Sequence, residues 1–210
     1  MPNSHGKSIR NVNASLDSLS FDTTGYRYEG DTDGLRTWLT PEGDAIWLSF
    51  LPEPPDLPIQ PQSCAELREF YRGRVCNEQV RMVEFGLRRV ADITCIWTVL
   101  KTPQKPHGML YMGFLTIPFA EFSFVITMLC KEYPITGARE AAWLLVASHE
   151  GRITFRDDGE PVGDSSPDDE CYDKDFPKHP VSRLRRGLAR IIATLQIQDR
   201  TKNEKRFELP

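Results

Sequence analysis

No stretch of this 210-residue chain approaches the roughly 20 uninterrupted apolar residues that a membrane span requires. The amino-terminal run MPNSHGKSIRNVNASLDS also lacks the apolar centre of a signal peptide. A cytoplasmic protein with no membrane contact is the resulting expectation. Positive charge is not in excess either: 26 Lys and Arg against 30 Asp and Glu leave a net charge of -4, which argues against a general nucleic-acid binder. Nor do the short signatures of common chemistries occur: there is no GxSxG for a serine nucleophile, no GxxxxGK[ST] or GxGxxG for phosphate, and no HExxH for zinc. The five cysteines (Cys64, Cys76, Cys95, Cys130 and Cys171) are odd in number, form no CxxC and have no histidine at zinc-ligand spacing. Reduced thiols are expected, with Cys95 and Cys130 behaving as small hydrophobes inside strands. No cofactor and no metal are expected.

What the chain has in abundance is strand. From Val80 to Lys131 four consecutive segments (80–90, 92–101, 109–117 and 121–131) read as strands joined by short turns, and turns of that length join antiparallel neighbours. The first alternates Val83, Phe85 and Leu87 with Glu84, Gly86 and Arg88, so one of its faces is wet; the last two are apolar on both faces, which requires a sheet covered on both sides. Upstream, segments 26–29, 35–40 and 45–51 are separated by Asp33-Gly34 and Pro41-Glu42-Gly43 and read as a smaller meander. The five prolines between Pro52 and Pro61 make the next stretch an extended connector.

Three helices are expected. Ser63 and Glu66 form a capping box ahead of an apolar stripe of Cys64, Leu67, Tyr71 and Val75. Thr136 is a plausible cap for 136–148, whose Ala138, Ala141, Ala142, Leu145 and Val146 recur at helical spacing. A last helix from near Val181 to about Ile197 carries Leu184, Leu188, Ile191, Ile192 and Leu195 on one face and four arginines elsewhere. The fold class is therefore α+β, a twisted antiparallel sheet meander with helices on both faces. Its organisation is a disordered tail over 1–24, a single domain over 25–198 with an acidic loop at 156–178, and a carboxyl-terminal tail over 199–210. Nine acids between Asp157 and Asp175 mark that loop as a solvated linker, with docking onto the arginines of the last helix as an alternative.

The element order, together with Gly43-Asp44 to Leu51, the helix at Ala65 to Tyr71, Tyr111-Met112-Gly113 through Pro118, and Thr136-Gly137-Ala138-Arg139-Glu140, resembles the Mog1/PsbP-like fold, and bacterial-type members of it in particular. The similarity runs over about residues 26–150. It implies an α/β/α sandwich and a binding or adaptor role, including chaperoning of apolar segments, and brings no catalytic residues with it. The functional expectation is a non-enzymatic protein-binding domain that holds a protein partner on a sheet face or its rim, with a homodimer as one form of such association. The alternative is an enzyme, a hydrolase among the options, working on a small molecule in a pocket between sheet and helices. The residues nominated for binding are His107, Arg139, Glu140 and Trp97. His179 is set aside because it precedes Pro180 at a helix start.

Overall fold

The computed structural model describes residues 14–58 and 61–210. His5 and the rest of the expected tail up to residue 13, with two residues of the Pro-rich connector, lie outside that range.

Seven strands make one antiparallel sheet: β2 (Arg27–Thr32), β3 (Leu35–Leu39), β4 (Ala45–Leu51), β5 (Arg81–Val90), β6 (Ile93–Pro103), β7 (Met109–Pro118) and β8 (Ser123–Lys131). Their spatial order is β2-β3-β4-β8-β7-β6-β5. The sheet is thus two meanders joined along β4 and β8, where Ala45 pairs with Leu129 and Leu51 with Ser123. The turn chemistry is as expected at Asp33-Gly34, whose φ values of 46° and 75° suit a tight hairpin; the β5–β6 turn puts Ala91 and Asp92 at φ 47° and 66°, a conformation these residues adopt at some cost.

Helices cover both faces. On one, α3 (Pro180–Thr194) lays down Val181, Leu184, Leu188 and Ile191, all fully buried. Removing each such side chain from water contributes about 1.5–3 kcal/mol. The helix comes this close because Gly113 of β7 has no side chain: a Cβ there would stand 2.6 Å from Leu188 and 2.7 Å from Leu184. Gly187 plays the matching part on the helix, against Met128 of β8. On the other face, α1 (Cys64–Val75) buries Leu67 and sets Tyr71 against Phe85, ring centroids 5.2 Å apart. Ser63 caps α1 by accepting from the Glu66 N–H at 3.1 Å, while the Glu66 carboxylate accepts from Gln62 rather than from Ser63, so half of the expected capping box forms. Away from α1 this face is less covered, and Trp47, Met112, Phe114, Val125 and Leu129 are only half-buried.

Three expectations need correcting. Residues 14–24 are not a free tail: β1 (Leu19–Ser20) pairs with β11 (Gln196–Ile197), Leu19 is buried, and Phe21 packs edge-on against Trp38. Its scattered hydrophobes suffice because each finds a place on a core that already exists. The carboxyl-terminal residues also dock, through α4 (Asp199–Lys202), the buried Thr201 and a bridge between Phe119 and Arg206. Finally, α2 (Ala138–His149) turns the opposite way from the alanine and leucine stripe: Arg139, Trp143 and Ala147 face inward, while Leu145 is 74% exposed and Leu144 and Val146 are exposed beside it. The inward face meets a small second core of Trp143, Ala147, Ile153 and Tyr172, built partly from β9 (Ile153–Phe155), which pairs with β10 (Pro161–Gly163).

Gly113→Ala is expected to destabilise the protein by about 1–3 kcal/mol in chemical denaturation, because two buried leucines must give way. Gly187→Ala costs less, since only the flexible end of Met128 has to move and alanine favours the helix. The amino-terminal clamp is pH-sensitive: hydrogen bonds from Thr24 first, and then from Arg190, hold the Asp22 carboxyl at about 2, below its ordinary 3.8. The folded form thus prefers ionised Asp22, so this contribution is complete above about pH 4 and is lost as pH falls through about 2. Asp22→Asn is expected to flatten that acid limb in a pH series of melting temperatures.

Candidate functional site

The segment expected to be a solvated acidic linker is the structural key to one end of the sheet, where β8 stops and β7 begins. Asp168 is 5% exposed and lies between the Lys101 ammonium, with which it pairs, and the Tyr111 hydroxyl, which donates to it at 2.7 Å. Burial, and then the Asp168 charge, push the Tyr111 hydroxyl well above the ordinary tyrosine range. Asp173 accepts from Arg139 at 2.8 Å and from Arg185 at 2.8 Å. Docking on the last helix is therefore the arrangement present: Arg185 reaches Asp173 and the Asp168 carbonyl, Arg186 donates to the Pro177 carbonyl and Arg183 to the Lys178 carbonyl, whereas Arg190 turns to Asp22.

Two guanidiniums fix the frame. Arg183 reaches from α3 to Asp44 in a two-pronged pair at 2.9 and 2.8 Å and also donates to the Lys131 carbonyl. Such a fork fits a carboxylate in one geometry, so it sets α3 against the β4 and β8 ends. Arg139, 1% exposed, donates to the carbonyls of Pro167 and Asp169, to the Ser182 hydroxyl at 2.7 Å and to Asp173. Four of its five N–H donors are spent on protein, and it acts as a positioning residue.

Within that frame three ligand-type side chains converge: Glu132, Glu140 and His179 each offer an atom, and these atoms lie within 4.8 Å of one another. Glu132, just past β8, is 8% exposed and accepts from the Met109 N–H at 3.0 Å. Glu140 lies in the first turn of α2, where the helix end favours its negative charge. His179 is the residue that caps α3: its Nδ1 accepts from the Val181 N–H at 3.4 Å, a long bond worth about 1 kcal/mol at most. Its side chain is 9% exposed, and its ring meets Tyr111 edge-on. The His179 Nε2 is 3.5 Å from Glu140 Oε1, and neither that nitrogen nor Glu140 Oε2, though both are shut off from solvent, has a hydrogen-bond partner. Proximity to His179 nevertheless holds the Glu140 carboxyl below the ordinary glutamate range. Buried polar atoms without partners are uncommon and call for a physical reason. Of four such side-chain atoms among the described residues, two meet here.

The cluster adjoins a cleft of about 600 Å³ whose walls include Glu132, His179, Arg139, Asp44, Arg183 and Phe176. Of the nominated residues, Arg139 and Glu140 come together here. His107 does not: it sits exposed on the β6–β7 loop at the same end of the sheet and lines no part of this cleft. Trp97 is elsewhere again, buried under α3 with its Nε1–H donating to Glu84 at 2.8 Å, beside a second cleft of about 630 Å³ along β5. There Glu84 and Arg185 already satisfy one another. The residues not found from sequence are Glu132, His179, Asp44, Tyr111 and Asp168. The His179-Pro180 pair, with a ring able to cap a helix, was the available signal. The buried thiols are inert by comparison: desolvation pushes Cys95 up to about 12, and Cys130 also rises, by burial first.

No family model matches the chain, and no curated protein does. Among solved structures, a crystal structure of a Bacteroides thetaiotaomicron VPI-5482 protein is similar at a TM-score of 0.41 and 7% identity, over 89% of this chain and 47% of that one. The chain thus spans about half the length of that protein.

Because Arg139 holds α2, the 165–173 segment and α3 together, Arg139→Met is expected to cost on the order of 3 kcal/mol in equilibrium unfolding, leaving Asp173 short of a partner. Limited proteolysis should then cut between Asp164 and Asp175. Arg139→Lys, which keeps the charge but not the fork, is expected to recover less than half of the loss.

Proposed function

We propose that this chain binds and transforms a small polar molecule in the cleft beside Glu132, Glu140 and His179, the enzyme alternative of the sequence reading. One observation carries it: a histidine nitrogen and a carboxylate oxygen, both buried and both without partners, stand beside a second buried carboxylate at the edge of a concave site. A fold that spends two guanidiniums on holding such a cluster in place has the preorganisation that ligand sites need, and groups of this type suit proton transfer or cation binding. Lys131, Lys178 and Arg186 line the cleft alongside the acids Glu42 and Asp175, a mixed charge that suits a polar substrate.

A second reading rests on a different observation. The half-buried Trp47, Met112, Phe114, Val125 and Leu129 form an apolar area on the sheet face that α1 leaves open. This supports docking of a protein segment there, in the manner that the resemblance to Mog1/PsbP-like binding modules implies.

Protein-observed NMR with a panel of small carboxylates, phosphates and amines separates the two. Expected are hits that shift the His179 ring resonances and bind at least about tenfold more weakly to Glu132→Gln, the value of one hydrogen bond to a charged group. Hits confined to the Trp47 and Phe114 resonances, with the His179 ring unmoved, would sink the cleft reading in favour of the sheet face.

A further inference from the structure

We infer that Glu132, Glu140 and His179 form a site for one divalent transition-metal ion, of the zinc, manganese or ferrous class, with its open coordination positions turned to the cleft. The inference rests on the reading of the cleft as a small-molecule site and names what that site would hold. One imidazole and two carboxylates form a mixed donor set that suits these borderline ions better than calcium or magnesium, which take oxygen ligands. Three protein ligands with room for a fourth is the arrangement of reactive rather than structural zinc sites.

Distances agree with this. Metal–ligand bonds of about 2.1 Å place two ligands on a tetrahedral edge about 3.4 Å apart, and the His179 Nε2 to Glu140 Oε1 separation is 3.5 Å. Glu132 lies within 4.8 Å of both, so its side chain has only to swing inward. Its Oε2 is already held by the Met109 N–H, the kind of outer hydrogen bond that orients a ligating carboxylate. Two atoms of these residues, His179 Nε2 and Glu140 Oε2, are shut off from solvent and without hydrogen-bond partners, as atoms short of a ligand are.

The histidine tautomer gives the site its own signature. With Nδ1 accepting from the Val181 N–H, a neutral His179 carries its proton on Nε2, the nitrogen that a metal needs. Coordination moves the proton to Nδ1, and the ring gives up the Val181 N–H. That bond is the long one of 3.4 Å, so the obstacle is small, but its loss places a reporter on the backbone next to the metal.

The test uses the full chain stripped with chelator and titrated with Co²⁺ and Zn²⁺. Expected are one equivalent of Co²⁺ bound with visible absorption bands of a low-coordinate ion, displacement by Zn²⁺, a shift of the Val181 amide resonance, and at least about tenfold weaker binding in Glu132→Gln and His179→Asn. Asparagine at 179 can still cap α3, so that variant retains its helix start, and Glu140→Gln gives a third, independent check. No bound equivalent, or binding that persists unchanged in the variants with the Val181 amide unmoved, overturns the metal site. Small-molecule hits at the His179 ring in chelator-treated protein would leave the cleft reading standing in that event, whereas their absence with metal bound would remove the cleft reading alone.

Discussion

A buried guanidinium organises this molecule. Arg139 is placed where a helix would ordinarily set an alanine or leucine, and the cost of desolvating its charge is offset only because four partners from two separate segments, the 165–173 loop and α3, surround it. Its neighbour in sequence is Glu140, and its partner Ser182 lies one turn into the helix that His179 caps. The orientation of two members of the cluster is thus inherited from a single ion whose hydrogen bonds go to other parts of the chain. Arg183 repeats the device on the other side, tying α3 to Asp44 across 139 residues of chain.

Close approach of α3 to the sheet does the complementary work. The Gly113 and Gly187 gaps let the helix lie low, and a helix that lies low brings its amino-terminal end down to the level of Glu132. Packing and charge therefore serve the same end: the apolar stripe sets the depth of α3, and the guanidiniums set its position along the strands. The face opposite α3 has no such constraint and stays partly open.

Strands were readable because their signal is local. The alternation in Val83 to Leu87 and the doubly apolar runs around Tyr111 and Phe124 identify a covered antiparallel sheet without any tertiary information, and the α+β sheet with helices on both faces is the architecture present. Three things were not local. The inward face of α2 was misjudged since helical spacing ranks Leu145 and Val146 above Arg139, and nothing short of knowing that Asp173 and Ser182 lie opposite could reverse the order. The acidic loop reads as solvated because composition cannot show that Lys101, Tyr111, Arg139 and Arg185 await it. The site was half legible: Glu140 was nominated with Arg139, but Glu132 reads as the polar end of a strand and His179 as an incidental residue before a proline. Their convergence exists only once β8, α2 and α3 meet.

The seam between β4 and β8 has a bearing on how the chain is made. Its two strands are separated by the connector, α1 and the whole β5–β7 meander, so pairing across it closes a very long loop, whereas every other pairing within the seven-strand sheet joins neighbours in sequence. During synthesis the β2–β4 hairpins emerge with β4 as an unpaired apolar edge, and that edge stays open until residue 131 has left the ribosome. Until then the meander that ends at Leu51 has a strand edge awaiting a partner, and the vulnerable period for aggregation is set by the translation time of the residues between Leu51 and Lys131.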